Sequence, residues 1–302
     1  MPAWPVAWAL LGLGCADPTP ETSATPFPDS GADSSNLATF RARPTVDALL
    51  ALLEQRHPVG RTRGPYRLAY SATFELNPSA DLPPPKVGDR YPQPQKVVDE
   101  LELRWASAAG EPDRFYLRQA NDHLVSREIL VDAEKMYTRR QGGGWVVGPL
   151  ETRHHERRLK EAHRCVFDIV EFAAPNLSVA IRDRPGGAAL RIELTRAVDR
   201  DEARLPAGAH KRWRQAANIQ HVAGYVDLEP STGRWTAAEI ELEYAVNRAN
   251  AMPLNGRTSL TASIGALDPQ HRFPTPSDAE PIPERRRPEV ERARLLRGLG
   301  GI

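Results

Sequence analysis

From Tyr66 to Leu76 the chain alternates without a break. Tyr66, Leu68, Tyr70, Ala72, Phe74 and Leu76 fall on one parity, and Arg67, Ala69, Ser71, Thr73 and Glu75 on the other. Successive side chains of a β-strand point to opposite faces, so a period of two over this length predicts a long strand with one face buried. The pattern recurs downstream. Leu101, Leu103 and Trp105 alternate with Glu100, Glu102 and Arg104, and Phe115 and Leu117 with Arg114, Tyr116 and Arg118. Residues 123–131, 134–139 and 145–147 read as further strands, with glycines 142–144 as a turn. Shorter apolar runs at 177–181 and 190–194 continue the series. The closing hairpin is the clearest local unit: 219–228 leads through Glu229-Pro-Ser-Thr-Gly233 into 235–246. On its second strand Ala238, Ile240, Leu242, Tyr244 and Val246 share one side, and Glu239, Glu241 and Glu243 the other. Leu260, Ala262 and Ile264 mark a last strand.

Two stretches follow a helical period instead. Before the first strand, Thr45 is placed as an N-cap and Asp47 in the first turn, and Val46, Leu49, Leu50 and Leu53 share a stripe. This helix is expected to end near 57–60, at Pro58 and Gly60. Between the strands, Leu150–Phe172 carries Leu159, Ala162, Val166, Ile169 and Val170 at threes and fours, and Pro175 closes it. A large sheet that is apolar on one face curls and must cover that face. The expected fold is therefore α+β: a strongly curved antiparallel sheet, a half-barrel of about ten strands, covered by two or three helices.

The ends of the chain differ in composition from this body. Residues 1–15, MPAWPVAWALLGLGC, hold no charged side chain and run apolar from Val6 to Gly14. About 20 apolar residues are needed to span a bilayer, so this run has the length of a signal-peptide core. It resembles the lipobox of bacterial lipoproteins, in which the cysteine thiol is diacylated and becomes the new N-terminus. Gly14 precedes Cys15, and Gly12 stands where the usual lipobox has Leu. The resemblance implies a signal peptide over 1–14, lipidation at Cys15 and attachment to a membrane through that lipid. Its implied location is the cell envelope, at the outer membrane facing the periplasm. Residues 15–43 are rich in Pro, Ser, Thr and Asp and read as a disordered tether. The single β-rich domain is expected over 44–268. Residues 269–302 read as a Pro/Arg-rich tail, with one short helical pattern over 288–299.

RFYLRQ at 114–119, EKMYTRRQGGGW at 134–145 and YVDLEPSTGRWTAAEIELEY at 225–244, together with the strand–helix order, make the body similar to the LolA/LppX-type lipoprotein-carrier superfamily. That resemblance covers residues 45–265 and implies a half-barrel lidded by helices with a lipid-binding hollow between. On this reading Tyr66, Leu68, Tyr70, Phe74, Leu101, Leu103 and Trp105 line the ligand face. The protein is then an envelope lipoprotein that binds or carries a lipid or another apolar ligand. The alternative is a non-enzymatic envelope scaffold whose same apolar faces form a filled core, since both present the same alternation.

Other functions find little support. Forty Lys and Arg against 39 Asp and Glu give a net charge of +1, so no global field favours nucleic acid. With Cys15 acylated, Cys165 has no disulfide partner and reads as a small buried hydrophobe. His154, His155, Glu156 and His163 are the strongest metal candidates, but His155 and His163 lie about 12 Å apart along a helix. Arg153, Arg157, Arg158, Lys160 and Arg164 make that surface cationic, and a solvated basic face is the expected reading, with no metal or other cofactor. Glu151, Glu156 and Glu161 interleave at ion-pairing distance. No GxSxG elbow, phosphate loop, CxxC or HExxH is present, and no catalytic residue is assigned.

Overall fold

The computed structural model describes residues 31–54, 64–79, 82, 93–108, 111–123, 125–150, 152–183, 189–205, 214, 216–247 and 252–281. Among these, the chain forms four helices and one open, curved, mixed sheet of twelve strands, an α+β fold. The helices Gly31–Ala42 (α1) and Val46–Leu53 (α2) lead into Tyr66–Pro78 (β1), Gln95–Trp105 (β2) and Arg114–Asn121 (β3). Ser126–Asp132 (β4), Lys135–Arg140 (β5) and Val146–Pro149 (β6) complete a meander. Helices Thr152–His163 (α3) and Cys165–Ala173 (α4) follow, then Leu177–Asp183 (β7), Leu190–Arg196 (β8), Ala217–Leu228 (β9), Trp235–Val246 (β10) and Leu254–Ala266 (β11). Glu280–Pro281 adds a two-residue edge (β12). The strands lie in the order β12-β6-β5-β4-β3-β2-β1-β11-β10-β9-β8-β7.

That order dictates where the central helices go. The chain leaves the sheet at β6 and re-enters at β7, ten strand intervals apart in the order. At about 4.8 Å per strand interval a flat sheet would separate the two by about 48 Å. Helices α3 and α4 have 12 and 9 residues and reach only about 32 Å. The crossover must also stand about 10 Å off the sheet. Curling the sheet brings the two ends within reach and sets α3 and α4 across the face they cover.

The parity seen in the sequence is the parity of burial. On β1, Tyr66, Leu68, Tyr70, Ala72 and Leu76 are buried, while Arg67 and Ser71 are exposed. β1 pairs with β2 through Tyr66↔Trp105, Leu68↔Leu103 and Tyr70↔Leu101, and with β11 through Leu68↔Ile264 and Tyr70↔Ala262. These positions join one core with Leu159, Val166, Ile169 and Phe172 of the central helices. The alternation of β10 also holds, with Glu239, Glu241 and Glu243 exposed between buried neighbours. Thr45 caps α2 as expected, its side chain accepting from the Ala48 amide at 3.2 Å. The described helix ends at Leu53, and residues 55–60, where its end was expected, lie outside the described residues.

Four expectations change. Residues 31–42 form a helix rather than tether: Leu37 and Phe40 are buried in the core, and Arg41 donates to the Pro230 carbonyl at 2.9 Å. Counting apolar residues missed this because two well-spaced anchors suffice to dock one helix on a preformed surface. The expected single central helix is two, broken at Arg164, and α4 is buried almost all round. The sheet has twelve strands rather than about ten, and β12 pairs parallel to β6, which makes it mixed. The tail also begins later than 269. Tyr116, Leu130 and Trp145 cluster with Phe273 and Ala279, on the opposite parity from Phe115, Leu117, Ile129 and Val131, so residues 271–281 cover an apolar patch on the outer face. The 288–299 pattern lies outside the described residues.

Gly224 allows β9 to approach β10. Its φ is +132°, and a Cβ there would stand 2.0 Å from the Glu239 carbonyl oxygen. Gly224→Ala is expected to lower unfolding free energy by about 3 kcal/mol or more in urea titrations, from backbone strain plus overpacking. Gly265→Ala, where a Cβ meets nothing within 4 Å, is the control and should change it by under about 0.5 kcal/mol.

Candidate functional site

The seven ligand-face residues predicted from sequence come together on the face of β1 and β2 that α3 and α4 cover, but they divide into two groups. At one end Tyr66 stacks on Trp105 with ring centroids 6.2 Å apart, and Trp105 on Phe115 at 5.8 Å. Leu68, Leu103 and Trp105 are fully buried there and Leu101 nearly so, and side chains fill the space. At the other end Tyr70 and the half-buried Phe74 border a cavity of about 50 Å³. Its remaining walls are Ala72, Asp99, Tyr244, Thr258 and Leu260 from the sheet, Cys165, Asp168, Ile169 and Phe172 from α4, and Arg214. A wider groove of about 380 Å³ lies over Ala69, Ser71, Ala120, Thr261 and Ser263, on the outer parity of the central strands, flanked by Arg67, Glu100, Glu102 and Arg118. Cys15 lies outside the described residues.

Beside the cavity runs a row of polar side chains that sequence reasoning passed over. Asp99 shares its parity with Leu101 and Trp105 on β2, Gln119 with Phe115 and Leu117 on β3, and Arg127 with Ile129 and Val131 on β4. Each therefore occupies a core-facing position, and Gln119 and Arg127 are direct cross-strand partners. The signal was available: polar residues on the apolar parity of three consecutive strands.

These groups bond to one another and to α3. The Tyr70 hydroxyl donates to Asp99 Oδ2 at 2.9 Å, and Gln119 Nε2 donates to the same oxygen at 2.8 Å. Arg127 reaches Glu161 of α3 at 3.5 Å, and Arg158 holds that carboxylate at 2.6 Å, with Arg157 at 3.9 Å. Burial pushes the Asp99 carboxyl above its usual range, against the bonds from Gln119 and Tyr70. Burial, with Asp99 adding to it, pushes the Tyr70 phenol up. Burial and then the neighbouring Arg158 pull Arg127 down.

His163 makes a second attachment between α3 and the sheet. Its Nδ1 lies 2.7 Å from the Leu159 carbonyl oxygen, which can only accept, so Nδ1 carries the hydrogen. Nε2 is then bare and accepts from the Tyr66 hydroxyl at 3.0 Å. Burial brings the His163 pKa down to about 4, opposed by the Leu159 bond. The expected solvated basic face is corrected in part: Arg157 and Lys160 are exposed as expected, but His163 is buried, and Arg158 and Arg164 are largely covered. A helix seated on a curved sheet hides more of its circumference than a surface helix does. The side chains of His154 and His155 lie outside the described residues.

Both nitrogens of His163 are bonded, and burial pushes the Cys165 thiol up, so neither is set up as base or nucleophile. Among the described residues no group of three His, Cys, Asp or Glu side chains is placed to hold a metal ion. No helix among them is long and apolar enough to cross a membrane. No protein-family model matches the chain, and no curated protein matches it.

The neutral, buried His163 gives folding a defined pH dependence. The unfolded chain takes up this proton near pH 6.5 and the folded protein near 4. Its contribution is therefore present above pH 6.5 and is lost as pH falls through 4, on the order of 3 kcal/mol in all. Asp99 and Asp168, both shifted upward, act in the opposite sense. The variant His163→Gln isolates the histidine: urea-unfolding stability of the wild type should decline relative to it between pH 6.5 and 4. A constant difference across that window would contradict a buried neutral imidazole.

Proposed function

We propose that this protein is a membrane-anchored envelope lipoprotein that binds or carries a lipid or other apolar ligand between its sheet and its central helices. In this reading the curved sheet is a half-barrel of the LolA/LppX-type carriers that the chain resembles. Cys15 bears the anchoring lipid at the outer membrane, facing the periplasm. The observation that carries the reading is the crossover itself. α3 and α4 are strung between β6 and β7 at opposite sides of the sheet, so they cover its apolar face while remaining outside its hydrogen-bonded ladder.

A ligand pocket commonly offers about 300–1,000 Å³, against the cavity of about 50 Å³ beneath α4. An apolar chain thus enters by displacing the helical cover, and the described conformation is the closed one. Tyr70 and Phe74 already border the cavity, and Tyr66, Leu68, Leu101, Leu103 and Trp105 are uncovered when α3 lifts. One observation favours the second reading, a scaffold lipoprotein with a dry core: the packed stack of Tyr66, Trp105 and Phe115.

Purification of the full chain from its native host, followed by organic extraction and mass spectrometry, tests both halves. A lipid recovered at close to one molecule per protein, and an N-terminal peptide that begins at Cys15 with a diacylglyceryl mass, are expected. Ligand-free protein overturns carriage in favour of the scaffold. An unmodified Cys15 overturns the anchor.

A further inference from the structure

The cavity beneath α4 is bordered by one carboxylate that no cation contacts directly. Three ionic side chains line it: Asp99, Asp168 and Arg214. Arg214 is engaged by Glu171 at 3.3 Å, and Asp168 by Arg164 at 3.3 Å. Asp99 is buried and receives only neutral donors, Tyr70 and Gln119, both on Oδ2. Its other oxygen, Oδ1, accepts no hydrogen bond among the described residues, and Asp99 lies in the cavity wall. The nearby Arg127 makes its ion pair with Glu161 at 3.5 Å and acts on Asp99 through space, without a hydrogen bond to it. A carboxylate oxygen that faces a cavity without a protein donor favours a donor on the ligand, most strongly a charged one.

The rest of the wall suits a cation. Tyr70, Phe74, Phe172 and Tyr244 border the same space; the rings of Phe172 and Tyr244 meet edge to face at 5.0 Å, and Arg214, paired with Glu171, stands 5.8 Å from the Phe172 centroid. Aromatic faces attract ammonium groups, more strongly where water is excluded. A single water needs about 10–15 Å³ of such space, so a cavity of about 50 Å³ takes an ammonium head without moving α4.

We infer that this cavity seats a protonated amine at the polar end of the apolar ligand, with Asp99 Oδ1 as its counter-ion and the four rings around it. The inference rests on the reading that an apolar chain enters beneath the central helices, and it adds the chemistry of the ligand's head. An amine of lysine-like basicity is protonated at pH 7. Binding it also draws the raised Asp99 pKa back down, since an opposite charge favours the ionised form.

Titration calorimetry of the full chain with octylamine, 1-octanol and octanoate at pH 7 tests it, since the three share a chain and differ in the head. Octylamine should bind at least about tenfold more tightly than octanol, the size of a charge-assisted bond at a desolvated site. Asp99→Asn should bring octylamine to the same affinity as octanol in that variant, and retained octanol binding of any strength shows that the variant is folded. Tyr70→Phe, which leaves the carboxylate in place, should retain the preference. Equal affinity of amine and alcohol in the wild type, or preference for octanoate, overturns the amine seat while apolar binding stands. Failure of all three probes to bind overturns the carrier reading and this inference with it. Should Asp99→Asn not fold, the wild-type ranking and Tyr70→Phe decide.

Discussion

The burial of one sheet face beneath a crossover connection governs the rest of this structure. An open antiparallel sheet with apolar side chains on one parity must hide that face, and here the chain hides it with its own β6–β7 connection. Because α3 and α4 are too short to span a flat sheet of this width, covering the face and curling the sheet are one requirement. The hairpin end is closed differently. There α1 and α2 pack Leu37 and Leu52 against Gly233 of the β9–β10 turn, where a Cβ would meet Leu52 Cδ2 at 2.9 Å.

The two central helices are held by different forces. α4 is apolar and buried on nearly every side, so its attachment is largely hydrophobic and spread over many contacts. α3 is held by a smaller apolar stripe and by polar bonds: Glu161 to Arg127, and His163 to Tyr66. Its polar network is incompletely satisfied. The Nε atoms of Arg127 and Arg158 and Oε1 of Glu161 are buried without hydrogen-bond partners among the described residues. Buried polar groups left partly unpaired contribute less than they cost to desolvate, so α3 is the weaker half of the cover.

Much of this architecture was legible in the sequence, and the unread parts share a cause. The parity of β1, β2 and β10, the Thr45 cap and the closing hairpin are local, and each was readable from the residues alone. The β1–β11 pairing, which makes the sheet continuous, joins residues nearly two hundred positions apart and leaves no local mark. Likewise Leu37 and Phe40 looked like stray apolar groups in a polar segment because their partners lie elsewhere in the chain, and Phe273 for the same reason. The candidate site was half legible. Its apolar members followed from alternation, whereas Asp99, Gln119 and Arg127 were passed over, although their parity put them inside. Which of Tyr66 and Tyr70 would border open space was not readable, because both satisfy the same pattern and only the path of α4 distinguishes them.

Native-state hydrogen exchange separates a hinged cover from a fused core most directly. With α3 the weaker attachment, the amides of Thr152–His163 should exchange through a sub-global opening, at least about a hundredfold faster than those at the centres of β1 and β11. Exchange of α3 only through global unfolding, with the same denaturant dependence as β1, would contradict a face that opens to admit a ligand.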